Sequence, residues 1–230
     1  MPLPLAHRSP VLPSLPLLPA PPPPHPALTI LSSAAGSHPH SRGLFSFAST
    51  TLILSLYNTG ARGITVPNVV VGMAIFCGGL AQILAGMWEF ATGNTFGATA
   101  FTSFGAFWAS YATILIPGSG IAAAYAAAAT EQEPSALGIY LITWMIVTFF
   151  FLIAALRKNI TFVALFFLLM ITFLLLAAAE FSGHVSVQKA GGVVGVITAF
   201  IAYYAGLSEL LGPEDAFTLP LGTRIAKRYN

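Results

Sequence analysis

Six apolar runs, at residues 43–60, 67–91, 95–117, 135–156, 159–181 and 188–211, fill nearly all of the chain beyond its first 42 residues. A helix needs about 20 residues to cross a hydrocarbon core of roughly 30 Å, and the runs are of that order. A strand in that setting leaves backbone groups unpaired along its edges, so every run is expected to be a helix. Charged residues make up 7% of the chain and mean hydropathy is +0.82. Soluble domains carry about 25% charged residues, so the sequence specifies an all-α integral membrane protein with six transmembrane helices. Prolines 67, 117 and 134 stand at run ends, where they start or stop a helix cheaply.

Residues 1–42 are a different material. They hold twelve of the 17 prolines, including an uninterrupted run at 21–24, with His25, His38 and His40 among them. Each proline removes a donor and clashes with the turn before it, so a proline-rich, disordered N-terminal tail is expected. Arg8 followed by an apolar stretch has the order of a signal peptide, but prolines 13, 16 and 19 interrupt that stretch and argue against one. The organisation expected is tail 1–42, transmembrane domain 43–211 and a short C-terminal tail 212–230. An even number of spans puts both ends on one side. Arg8, Arg42, Arg157, Lys158, Arg224, Lys227 and Arg228 fall on that side, against Arg62 and Lys189 on the other. Seven against two places both termini in the cytoplasm.

A net charge of +2, with no basic cluster interleaved with aromatics, makes no case for nucleic acid, and no such partner is expected. The single cysteine, Cys77, lies mid-run and reads as a small packing residue. No nucleophile elbow, zinc-binding HExxH, paired aspartates or phosphate loop is present, so no enzyme, cofactor or metal site is expected. Function must then lie in polar groups held inside apolar runs. Run 1 carries Ser49, Thr50, Thr51, Tyr57 and Asn58; its hydroxyls either bond back one turn or face a path. Gln82, near the middle of run 2, needs a partner helix or a hydrated path. Glu89, Asn94 and Thr95 sit where runs 2 and 3 join with almost no loop. Glu89 reads either as an interfacial acid or as a proton carrier, with Glu180 and Glu209 weaker candidates. Phe96, Phe101, Phe104, Phe107 and Trp108 share a helical face, which suits packing or the lining of a pore.

The stretches LFSFASTTLILSLYNTGARG, GMAIFCGGLAQILAGMWEFATGNTFGATAFTSFGAFW and LFFLLMITFLLLA closely resemble the acetate uptake transporters, the succinate–acetate permeases of bacteria and fungi. The likeness covers about residues 43–217. It implies a six-helix protomer in a hexameric ring, with a path through each protomer that moves acetate, often with a proton. Fungal members sit in the plasma membrane, and some are linked to ammonium release. The family's constriction of Phe, Tyr and Leu falls on Phe47, Phe104 and Leu169, so the middle hydroxyl is lost here. Gln82, Glu89, Asn94 and Thr95 match shared positions, and threonines 50 and 51 with Asn58 complete the expected lining.

A second departure lies at the entrance. The family opens helix 1 with Asn-Pro-x-Pro-Leu-Gly-Leu, where this chain has His38, Pro39, His40, Ser41, Arg42, Gly43 and Leu44. The break coincides with the end of the proline-rich stretch, so residues 1–42 are expected to come from an alternative or misassigned first exon. The reading overall is a proton-coupled carrier of acetate and similar monocarboxylates. Its rivals are a passive channel for acetic acid, ammonia or water, and a non-transporting sensor or scaffold recruited through the proline run.

Overall fold

The computed structural model describes residues 39–128, 132–212 and 214–222. The expected disordered tail lies outside these as far as residue 38, and so does the chain end from residue 223. Among the described residues there are six long helices: α1 (Pro39–Asn58), α2 (Val70–Ala91), α3 (Thr95–Leu115), α4 (Gln132–Ala155), α5 (Ile160–Ser182) and α6 (Val185–Leu210). At about 1.5 Å per residue they span roughly 30–39 Å. Four of them, α2, α4, α5 and α6, are long and apolar enough in composition to cross a membrane. The other two carry many hydroxyls, several of which bond back to their own helix. Thr50 Oγ1 donates to the Ser46 carbonyl at 2.9 Å and Thr102 Oγ1 to that of Ala98 at 2.8 Å.

Helix α1 begins four residues ahead of its apolar run, at Pro39. Proline is tolerated there because the first turn has no helical partner for its missing N–H. Residues 39–42 are therefore helical rather than tail. Helix α2 departs from regular geometry: Met73–Ala81 is a π-helix. A Cβ at position 79 would lie 2.7 Å from the carbonyl oxygen of Ala74, five residues back, so glycine is what lets this wide turn close. On the same helix pair, a Cβ at Gly105 would stand 2.5 Å from Ile83 Cγ1. The α2 and α3 backbones approach that closely because glycine faces the neighbour.

The helices close into a ring in the order α3, α2, α1, α6, α5, α4. Five seams are extensive. At the sixth the α3 and α4 backbones stand farther apart and are joined through side chains: Phe107 stacks on Tyr140 at 5.9 Å, and Ser110 Oγ lies 2.7 Å from Tyr140 OH. An outward-facing groove lined by Thr95, Thr99, Ser103, Val147 and Phe150 runs between them. A short helix, Ile121–Ala127, occupies the α3–α4 connection. The segment after α6 turns back onto the bundle. Thr161 Oγ1 donates to the Leu221 carbonyl at 2.8 Å, Tyr204 OH donates to that of Pro220 at 2.6 Å, and Ser208 Oγ donates to that of Leu219. Residues 214–222 are thus a strap rather than a loose extension.

Candidate functional site

Two cavities lie inside the ring and meet at its waist. The first opens at the end of the bundle marked by Asn58; Thr51, Trp108, Tyr111, Glu180 and Gln188 are on its wall. The second is smaller and opens at the other end beside His40, with Gln82, Phe96, Phe101 and Phe162 around it. Phe47 of α1 borders both, Leu169 of α5 the first and Phe104 of α3 the second. The three residues named from the sequence as a constriction therefore stand at the junction, all of them buried. The Phe47 and Phe104 rings meet edge to face at 5.7 Å, and Phe104 lies against Phe151 and Phe166 at 5.5 and 6.1 Å. No polar atom belongs to this waist triad.

Above and below the waist, buried polar groups lack partners. Gln82 is 1% exposed, and neither its Oε1 nor its Nε2 has a hydrogen bond. The sequence left it a choice between a partner helix and a path; within the fold it has no partner and faces the His40 cavity. Thr51 Oγ1 and Trp108 Nε1 are likewise buried and unbonded on the other side. An unpaired buried polar group costs about 1–3 kcal/mol, so three such residues around two cavities mark places where a ligand or water supplies the missing bond.

Glu89 does not reach outward from its helix end. It is 2% exposed, and Oε2 accepts from Asn94 Nδ2 at 2.6 Å. Its Oε1 stands 3.1 Å from His40 Nδ1, but out of line for a hydrogen bond. Asn94 also caps α3, its Oδ1 accepting from the Gly97 backbone at 3.2 Å. It braces the site from behind rather than lining a cavity. A Cβ at Gly97 would come within 2.9 Å of Glu89 Oε2 and 3.1 Å of His40 Cε1, so the cluster needs glycine there.

Asn58 lines the first cavity and accepts from Gln188 Nε2 at 3.4 Å. Thr50 and Thr95 lie outside both cavities. Thr50 is wholly buried against Ser46 and Gly78, where its back-bond consumes the hydroxyl. Thr95 is exposed in the outer groove, because the first turn of α3 points it away from the ring. His40 was hidden from sequence reasoning, since it sits in a stretch read as tail. For Trp108 the sequence signal is its indole N–H, a donor that must find a partner when buried. Among the described residues, no three His, Cys, Asp or Glu side chains are grouped to hold a metal ion.

A family model described as the GPR1/FUN34/yaaH family matches residues 24–225. Ammonia transport outward protein 2 of Saccharomyces cerevisiae is 48% identical over 183 residues, covering 80% of this chain and 64% of that protein. Acetate permease A of Emericella nidulans is 40% identical over 79% of this chain and 64% of its own length. This chain thus spans less than two thirds of these fungal relatives. The succinate-acetate/proton symporter SatP of Escherichia coli K12 is 36% identical over 81% of this chain and 95% of its own. A solved structure, described as that of the bacterial acetate channel SatP, matches with a TM-score of 0.71 at 34% identity, over 81% of this chain and 99% of that one. By matched length and by fold, the chain belongs to the GPR1/FUN34/yaaH family, whose members here include carriers and channels for acetate.

Proposed function

We propose that this protein carries acetate and similar small monocarboxylates across a membrane through the centre of its helix ring. All six long helices cross the bilayer, both termini are cytoplasmic, and the protomers assemble as hexamers with a path within each protomer. The observation that carries the reading is the pair of cavities meeting at Phe47, Phe104 and Leu169, with unpartnered donors on either side. Gln82 Nε2 serves a carboxylate in one cavity, and Thr51 Oγ1 and Trp108 Nε1 serve it in the other. The waist admits a methyl group but offers the carboxylate nothing. Desolvating an ionised carboxylate costs several kcal/mol even after relaxation, whereas a neutral acid gives up far less. Passage with a proton is therefore favoured over passage of the bare anion. A dicarboxylate such as succinate must be relieved of two charges, so acetate is preferred.

The names of the relatives, symporter and channel, frame the test. Labelled acetate uptake is measured in cells lacking their own carrier, at two external pH values, with empty-vector cells subtracted for diffusion of acetic acid. Uphill accumulation that grows at low pH and collapses with an uncoupler supports proton-coupled transport at the plasma membrane. Flux without accumulation identifies a passive channel. No flux from protein present at the surface refutes transport and leaves the scaffold.

A further inference from the structure

The waist and Gln82 account for a path, but not for the buried charge beside it. His40 lines the same cavity as Gln82, and its ring is held edge-on by Phe101 and Phe162 at 5.1 and 5.6 Å. Behind it stands Glu89, with one oxygen bonded to Asn94 and the other without a hydrogen bond, 3.1 Å from the imidazole. Asn94 Nδ2 is also 3.4 Å from His40 Nδ1. The carboxylate is thus buried at the edge of a cavity that must receive another carboxylate. Imidazole is the side chain that ordinarily changes charge between about pH 5 and 8.

We infer that His40 and Glu89 form one proton-binding unit that decides whether a carboxylate occupies the His40 cavity. This deepens the transport reading and rests on it for its ligand. With His40 neutral, the cavity faces an uncompensated Glu89 and repels a second anion. A proton taken from water at that end of the bundle onto the imidazole makes the pair neutral overall, and the repulsion is removed. On release the same proton returns to water; no bond other than N–H is made or broken. Among the described residues, the other charged groups around His40 are Lys158, which lies over the Phe96 ring that packs on Phe162, and Arg42 on its own helix. Lysine and arginine side chains ordinarily keep one charge across this range, so the change of charge is assigned to the imidazole.

The test is binding of carbon-13-labelled acetate to the detergent-solubilised full chain at matched ionic strength. Compared at about pH 5.5 and 7.5, the protein is expected to bind roughly tenfold more tightly at the lower pH. His40→Gln should bind weakly at both values and Glu89→Gln tightly at both, since the first leaves the anion uncompensated and the second removes it. Opposite signs from two neighbours are not what a packing role produces, and Glu89→Gln serves where His40→Gln fails to fold. A His40→Gln protein that keeps the tenfold ratio overturns the inference, as does pH-independent binding by the unmodified chain. Proton-dependent binding without flux in vesicles would leave the unit standing and remove the transport reading alone.

Discussion

Replacing Gln82 by leucine separates a ligand-binding amide from a structural one by the sign of its effect on stability. Leucine is of similar size and carries no polar atoms. In the fold, Gln82 is buried and neither amide atom is bonded, so nothing in the ring loses a partner when it goes. Relief of the unpaired amide is worth about 1–3 kcal/mol. At about 2–4 °C per kcal/mol for a chain of this size, the apparent Tm should rise by roughly 2–12 °C. A hydrogen bond to a charged ligand contributes about 1.5–3 kcal/mol, so acetate affinity should fall about 10- to 100-fold. The assay is thermal unfolding of purified protein in detergent at one fixed scan rate, with and without acetate. At one fixed concentration, acetate should raise the Tm of the unmodified protein by more than that of Gln82→Leu. A Tm lowered by several degrees would refute the reasoning, because it would mean that the amide is bonded within the folded protein.

Phe104→Tyr restores the hydroxyl that the family's constriction carries, and uptake of labelled acetate should increase; a loss would show that the ring packed against Phe151 and Phe166 has no room for it. Gly105→Ala drives a Cβ toward Ile83 and the Gly79 carbonyl and should cost about 1–3 kcal/mol, read as a lower Tm in detergent. Gly72→Ala meets nothing within 4 Å and should gain about 0.5–1 kcal/mol in the same assay. Thr161→Val removes the bond to the Leu221 carbonyl and should cost about 0.5–1.5 kcal/mol, with faster hydrogen exchange confined to the start of α5 and to residues 214–222.

The helices were legible because apolarity over some twenty residues leaves the backbone few alternatives. Their ends were less so. Pro39 and His40 are helical although composition assigns them to the proline-rich stretch, since the first turn of a helix accepts proline and polar residues alike. The π-turn at Met73–Ala81 has no periodicity of its own; it depends on a close approach of Gly79 to the Ala74 carbonyl that only three dimensions reveal. At the site, Gln82 and Glu89 stood out as polar groups in apolar runs, and the structure places both inside. Thr50 and Thr95 looked equivalent to Thr51 on residue type. Helix phase separates them, and a chain whose helices are apolar on every face gives little phase information.

The seam between α3 and α4 is built differently from the other five. Its backbones stand apart, and rings fill the gap: Phe107 against Tyr140 and Trp144, and Phe104 against Trp144 and Phe151. Phe104 therefore belongs both to the waist and to the filling of this joint, whereas Phe47 and Leu169 stand on helices whose backbones are packed through α6. The width of one joint and the width of the waist are thus read from the same ring, and a change in the volume of Trp144 or Phe151 is felt at the constriction without any substitution in it.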